Sequence, residues 1–97
     1  MAKTFQLCVV TTEGTVLDTK VAYCGLQTPD GSLGILANHA PMMCILREGE
    51  LSFRTEDGEE GTLRHSAGVA RVKSNVLTLL ADRAEDPVMQ EKKPAIG

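Results

Sequence analysis

The segment PDGSLGILANHAPMMC, residues 29–44, decides the fold class. Its first three residues are typical of a tight turn, because proline suits the second turn position and Gly31 accepts positive φ. The short apolar run over residues 33–36 predicts a strand. Residues 38–41 predict a non-helical connection, since the residue before Pro41 avoids the α conformation. The segment therefore indicates a turn, a strand, a loop and the start of another strand.

The rest of the chain repeats this pattern. Alternating runs cover residues 4–11, 15–28, 51–54, 62–66, 69–73 and 76–81. Turn residues interrupt the chain about every eight to twelve residues, a spacing typical of a sandwich or barrel. On the first run Phe5, Leu7 and Val9 share one face. In the second run Gly25 indicates a bulge or a close approach of neighbouring groups.

Two segments depart from simple alternation. Met42–Leu46 is apolar throughout, so we expect it to be buried on both faces or at an interface. Residues 86–97 are polar and contain two prolines. This composition predicts a mostly unstructured tail, with at most a helical turn over residues 88–92. We expect a sandwich domain over residues 1–86 and a tail over residues 87–97.

Composition limits the possible function classes. A length of 97 residues favours one domain, and 42% hydrophobic residues with 24% charged residues are typical of a globular chain. Two Phe, one Tyr and no Trp predict an aliphatic core. A net charge of −3 argues against nucleic-acid binding. No apolar run approaches the roughly 20 residues that a membrane span requires, and no signal peptide is recognisable.

The reactive residue types do not form a known motif. Cys8, Cys24 and Cys44 predict buried thiols in a reducing compartment rather than disulfides. With His39 and His65 they could supply a zinc site or a Cys–His pair, and a small metal-dependent or cysteine enzyme therefore stays an alternative. Their spacing contains neither C-x-x-C nor H-x-x-x-H. We therefore predict no catalytic residue, no metal site and no cofactor.

Several motifs resemble one known family. GSLGILANHAPMM, residues 31–43, resembles the G-x-L-G-I-x-x-x-H-A-P-L signature of the epsilon subunit of F-type ATP synthases. KTFQLCVVTTEGTVLD, REGELSFR and HSAGVARVKSNVLTLLADRAE are similar to further parts of that subunit, in the same order. The resemblance spans residues 3–86.

The resemblance implies a ten-stranded β-sandwich and a non-catalytic role in the rotor of a proton- or sodium-translocating enzyme. In that family the domain joins the gamma subunit to the polar loops of the membrane c-ring. The turn matching Asp30, Gly31 and Ser32 lies against the c-ring loops. The residues that lie toward gamma or the ring match His39, Ala40, Pro41, Met42, Met43 and Cys44, together with Thr11. The implied location is peripheral, on the cytoplasmic face of a bacterial plasma membrane, without direct insertion.

The chain also departs from the family pattern. Ser32 occupies a position that is commonly acidic, Ala67 replaces a glycine, and Arg71 replaces a glutamate. The family usually continues into a C-terminal helical hairpin, so we expect a short form or a truncation and carry over neither the inhibitory role nor the nucleotide site of that hairpin. From another class, a free-standing sandwich that binds a small ligand or peptide stays an alternative. It predicts an apolar concave pocket.

Overall fold

The computed structural model describes residues 3–90, and within that range it contains strands, turns and irregular segments but no helix. No helix in the described range is therefore long and apolar enough to cross a bilayer. The strands are β1 (Phe5–Thr11), β2 (Gly14–Val21), β3 (Tyr23–Thr28), β4 (Gly31–Leu36), β5 (Met42–Leu46), β6 (Gly49–Arg54), β7 (Glu60–His65), β8 (Gly68–Lys73), β9 (Val76–Ala81) and β10 (Val88–Met89).

The ten strands form two five-stranded sheets. The front sheet has the order β2-β1-β9-β8-β5, and the back sheet has the order β10-β7-β6-β3-β4. Neighbouring strands are antiparallel, except that β1 and β9 are parallel. The predicted all-β sandwich is confirmed. Its two open sides are bordered by β4 and β5 on one side and by β2 and β10 on the other.

Side-chain alternation places the core between the sheets. On β1, Phe5, Leu7 and Val9 are buried, while Cys8 and Val10 are only partly buried. Full burial of one such aliphatic side chain contributes about 1.5–3 kcal/mol to folding. The buried apolar residues are Phe5, Leu7, Val9, Val21, Cys24, Leu26, Ile35, Leu46, Leu51, Phe53, Leu63, Ala70, Val72, Leu77 and Leu79. The core is mainly aliphatic, as the composition predicts.

The long run over residues 15–28 is two strands that belong to different sheets. β2 lies in the front sheet and β3 in the back sheet. Between them the Ala22 N–H donates to the Arg54 carbonyl at 2.7 Å. Gly25 marks a close approach, because a Cβ there would lie 3.0 Å from the Tyr23 hydroxyl oxygen. The register irregularity of this region is instead in the β1–β2 pairing.

Burial on β5 differs from the first of our two expectations. Leu46 is fully buried and Met42 packs against the core, whereas Met43 and Ile45 are each 68% exposed. Burial on both faces is therefore wrong, because β5 is an edge strand whose outer face has no covering layer among the described residues. The alternative, that β5 lies at an interface, stays a prediction.

The sequence predicts at most a helical turn over residues 88–92, and where the structure describes this segment it forms the two-residue strand β10, which pairs with β7, instead of a helical turn. Gly61 on β7 lies opposite Met89 and leaves room for the Phe53 ring, because a Cβ there would lie 2.5 Å from the Phe53 Cζ. Residues 91–97 lie outside the described range. The domain boundary after residue 86 stays a prediction.

The cysteines are all free, as expected, but only one is fully buried. Cys24 lies in the core, whereas Cys8 and Cys44 are half-buried. The expectation of three buried thiols is therefore wrong for Cys8 and Cys44. Cys8 lies on the outer face of the front sheet, where no second layer covers it within residues 3–90.

Candidate partner-binding surface

Four apolar side chains form a row across the outer face of the front sheet. The strand pairing aligns Val10 of β1 with Leu80 of β9. It also aligns Leu80 with Val69 of β8, and Val69 with Ile45 of β5. Ile45 is 68% exposed, Leu80 52% and Val69 37%. Because neighbouring strands lie about 4.8 Å apart, this apolar row is roughly 15 Å long.

A more polar row borders the apolar row. It runs from Asp18 through Cys8, Thr78 and Arg71 to Met43. Arg71 and Met43 are exposed, so a partner that covers the apolar row would meet a cation and a flexible thioether at the margin.

On the other flank of the apolar row, a shallow depression of about 310 Å³ places Thr11 next to Val10 and Leu80. Thr11 is therefore adjacent to the apolar row, and its place at a partner interface stays a prediction.

A groove of about 790 Å³ lies on the open side between β4 and β5. It brings together four of the predicted site residues, Asp30, Ser32, Met43 and Cys44, together with Thr28, Pro29, Leu33, Ile45 and Val69. Since Ile45 and Val69 belong to both features, the groove and the apolar row form one continuous surface that passes around the edge strand β5.

The β3–β4 turn forms one end of this groove. Gly31 has a φ of +130°, a conformation that favours glycine, and the Thr28 hydroxyl donates to the Gly31 carbonyl at 2.8 Å. Asp30 and Ser32 are exposed on either side of Gly31. The turn is therefore fixed in shape and presents a carboxylate and a hydroxyl to solvent.

The β4–β5 loop, residues 37–41, lies at the opposite end of β4 from that turn. His39 Nδ1 and the Ala40 carbonyl oxygen are 2.8 Å apart, and Pro41 is exposed. Because β4 has six residues, the loop and the turn are roughly 20 Å apart. The structure therefore divides the predicted site into a turn group and a loop group, which Met43 and Cys44 connect along β5.

The other open side, between β2 and β10, is different in chemistry. At one end of this side, by the start of β2, the end of β7 and the segment 82–86 that precedes β10, lies a charged cavity of about 720 Å³. Its side chains include Glu13, Glu48, Asp82, Glu85, Asp86, Arg64 and Arg83. His65 also lines it and is only 4% exposed. Its Nδ1 is 2.8 Å from the Ser66 carbonyl oxygen, and its Nε2 has no hydrogen-bond partner among residues 3–90.

The structure does not bring the reactive residue types together. His39 lies in the β4–β5 loop, and His65 lies on the opposite open side. Within the described range, no group of three His, Cys, Asp or Glu residues could hold a metal ion.

The cysteine thiols are poor nucleophiles at neutral pH. Burial raises the pKa of the Cys24 thiol to about 12 and also raises the pKa of Cys44. Burial, followed by the negative charge of Asp18, raises the pKa of Cys8. Since only the thiolate attacks, these shifts disfavour nucleophilic chemistry at all three positions.

The sequence interpretation missed the apolar row, because it assigned the partner site to the motif around His39. A signal was available. β9 carries leucines on both faces, and a strand with one solvated face should carry polar residues at alternate positions. Leu80 and Val69 are apolar at such positions and could have been recognised as an exposed pair.

Comparisons with known proteins agree on one family. Residues 4–87 match the family described as the ATP synthase delta/epsilon chain β-sandwich domain. An ATP synthase epsilon chain of Desulfitobacterium hafniense is 39% identical over 85 residues, covering 88% of this chain and 64% of the relative. That of Clostridium novyi is 35% identical over 95 residues, covering 98% and 72%. This chain therefore spans slightly less than two thirds of the Desulfitobacterium relative.

Two solved structures share the fold. A chain in the mitochondrial ATP synthase of Euglena gracilis, a structure containing OSCP, F1 and the c-ring, matches with a TM-score of 0.80 and 26% identity. The match covers 90% of this chain and 54% of that one. A chain in the central stalk and c-ring of the Tetrahymena thermophila mitochondrial enzyme matches with a TM-score of 0.70, 18% identity and coverages of 84% and 65%. The second likeness supports the fold alone.

Proposed function

Because the chain belongs to the delta/epsilon family of ATP synthases, through its β-sandwich domain, we propose that it is a non-catalytic central-stalk subunit that couples gamma to the c-ring during ATP synthesis. The translocated ion is a proton or a sodium ion. The subunit is then peripheral, at the cytoplasmic face of a bacterial plasma membrane, and binds neither nucleic acid nor a cofactor.

One observation carries the proposal: an apolar row crosses the solvent-exposed face of the front sheet. Apolar side chains on the outer face of a sheet are exposed at a cost unless a partner covers them, and contiguous exposed apolar patches commonly mark protein interfaces. We assign the apolar row, with Thr11 and the segment from His39 to Cys44 at its margins, to gamma. A stable complex should bury at least about 1,200 Å² in total.

We assign the β3–β4 turn to the c-ring loops. Asp30 is exposed at the tip and can pair with a basic side chain, which partly compensates for Ser32 at a commonly acidic position. Because such an exposed ion pair contributes only about 0–1 kcal/mol, the turn serves orientation more than affinity. The fixed Gly31 conformation supports such a role.

The fold suits the transmission of force. Each sheet is a continuous ladder of five strands, and the side chains between the sheets are close to fully buried. Close-packed interiors have low compressibility, so a load applied at the β3–β4 turn is transmitted to the front sheet with little internal deformation.

The test is binding of the gamma subunit from the same organism, measured by calorimetry with wild-type protein and two matched variants. Leu80→Glu places a charge in the apolar row. Leu36→Glu places the same charge on the back sheet, at a leucine that is 59% exposed. We expect wild type and Leu36→Glu to bind alike and Leu80→Glu to bind at least about 100-fold more weakly, the scale of a charge buried at an interface.

Circular dichroism should show that all three proteins are folded. Equal loss of affinity in both variants would contradict the assignment of the front sheet. Absence of binding by folded wild-type protein at micromolar concentration would contradict the function itself. The apolar groove between β4 and β5 would then favour the alternative, a sandwich that binds a small ligand or peptide.

A further inference from the structure

Asn75 connects three separate parts of the chain at one end of the sandwich. Its side-chain Oδ1 accepts a hydrogen bond from the Asn38 N–H at 2.8 Å. Its Nδ2 donates to the Thr4 carbonyl at 2.9 Å, and its own carbonyl accepts from the Gln6 N–H at 3.1 Å. One side chain therefore joins the β4–β5 loop, the β8–β9 turn and the start of β1.

The β4–β5 loop has little else to hold it. Asn38 has a φ of +63°, a conformation that non-glycine residues rarely adopt. The neighbouring backbone bond, from the His39 N–H to the Leu36 carbonyl, is 3.3 Å long. Pro41 carries no N–H at all. The 2.8 Å bond to the Asn75 side chain is thus the shortest hydrogen bond that joins this loop to another element within residues 3–90.

This path determines where the loop group of the candidate surface lies. The loop carries the chain from β4 in the back sheet to β5 in the front sheet. It sets the positions of His39 and Pro41 relative to the outer face of the front sheet and leads into Met43, which pairs with Arg71 of β8. Ala37 and Met42 pack against the core on either side of the exposed part of the loop, so a displacement of Asn38 would move His39 and Pro41 most.

We propose that Asn75 is a positioning residue for partner binding: its amide oxygen fixes the β4–β5 loop in the shape that gamma recognises. This inference rests on the proposed function. The two ends of the Asn75 amide have different roles, which we call its two arms. The Oδ1 arm holds the β4–β5 loop, and the Nδ2 arm holds only the start of the chain before β1.

Two substitutions at Asn75 test the two hydrogen bonds separately. Asn75 has a φ of +63° in a turn with Ser74 at +53°, so Asn75→Gly removes both arms without adding backbone strain. Asn75→Asp keeps the acceptor for Asn38 and replaces the donor to Thr4 with a carboxylate oxygen. Both variants should be less stable than wild type, but only Asn75→Gly should release the loop.

The experiment measures gamma affinity and thermal stability for wild type and both variants. We expect Asn75→Gly to bind gamma about tenfold more weakly, the scale of one lost hydrogen bond, and Asn75→Asp to bind within about threefold of wild type. Equal affinities for all three proteins would show that Asn75 is only structural. Equal losses of gamma affinity in both variants would show that the hydrogen bond to the loop does not determine binding. Either result would overturn the proposal.

A second measurement does not need the partner. Amide exchange of Asn38 and the methyl signals of Met43 can be followed by NMR in the free protein. Asn75→Gly should accelerate the Asn38 exchange at least about tenfold and shift the Met43 methyl signal, while Asn75→Asp should leave both near wild type. Unchanged exchange in Asn75→Gly would overturn the inference, whereas failure of wild type to bind gamma would overturn only the function on which it rests.

Discussion

The two open sides of the sandwich have cavities of similar size but opposite chemistry. The groove between β4 and β5 is about 790 Å³ and includes Leu33, Met43 and Ile45. The cavity on the β2–β10 side, between the start of β2, the end of β7 and the segment 82–86, is about 720 Å³, and half of its lining residues are charged. The two cavities therefore differ in the chemistry of their lining side chains and not in volume.

The edge strands show the same difference. β5, MMCIL, carries no charge, whereas β2 carries Asp18 and Lys20. Charges on an edge strand oppose unwanted pairing, and an uncharged apolar edge invites contact. β2 is thus protected as a free edge, while β5 is suited to being covered. The β4–β5 side is the side that assembly should use, and the β2–β10 side should stay in water.

The largest expected effect compares one charge change on each open side. Met43→Glu puts a carboxylate on a side chain that is 68% exposed in the groove, and Arg83→Ser removes a charge from the opposite cavity. We expect Met43→Glu to weaken gamma binding by about 30- to 100-fold, and Arg83→Ser to change it less than about twofold. Titration calorimetry at fixed salt measures both.

Met42→Ser serves as the control for β5, because Met42 packs against the core beside the exposed Met43. It should lower the melting temperature more than Met43→Glu does. If Arg83→Ser weakened gamma binding as much as Met43→Glu, the two sides would not differ in function and the comparison would fail.

The next effect concerns His65 on the charged side. Its buried Nε2 has no partner among residues 3–90, and an unsatisfied buried polar atom costs about 1–3 kcal/mol. We expect His65→Leu to stabilise the protein by about 1–2 kcal/mol, after allowing for the lost Nδ1 contact. At 4–8 °C per kcal/mol, roughly, calorimetry should show a clear rise in melting temperature.

His39→Leu is the matched control, since His39 is only half-buried and should change the stability by less than about 0.5 kcal/mol. Destabilisation by His65→Leu would mean that a bound water or ligand in the charged cavity forms a hydrogen bond with the imidazole. The cavity would then contribute to the stability of the fold.

Much of the fold could be predicted because its signals are local. Alternation on β1 placed Phe5 and Leu7 in the core, and turn residues such as Gly31 marked the strand ends. The long run over residues 15–28 could not be divided from local signals alone. After Val21 the chain leaves the front sheet, and β3 pairs in the back sheet with the distant strand β6, beside the hydrogen bond from Ala22 to Arg54.

The candidate site was harder to predict, because its geometry depends on pairing between distant strands. The motif identified His39 and Met43, but only the register aligns Val10 with Leu80 across β1 and β9. The hydrogen bond between Asn38 and Asn75 joins residues 37 positions apart. The hydrophobic periodicity of the sequence does not predict such a long-range contact. The candidate surface can therefore be recognised only from the assembled sheets.

A smaller effect distinguishes the core thiol from the outer thiols. Burial raises the pKa of Cys24 from 9.0 to about 12, so the folded state holds this proton more tightly than the unfolded state. The stabilisation is therefore complete below pH 9 and is lost as the pH rises from 9 to 12. Near pH 10 wild type should lose about 1 kcal/mol relative to Cys24→Val, measured by urea unfolding. Identical pH profiles would contradict burial of the Cys24 thiol.

The smallest effect tests whether the charged side is truly solvated. Arg64 and Glu85 form an ion pair at 3.9 Å, with side chains 64% and 75% exposed. Such pairs are screened by water and salt, so Glu85→Gln should change the free energy of unfolding by less than about 0.5 kcal/mol and leave gamma affinity unchanged. A loss above about 1 kcal/mol that persists at high salt would show a shielded pair. The β2–β10 side would then be shielded from water. The two sides would differ in the charge of their side chains but not in their exposure to solvent.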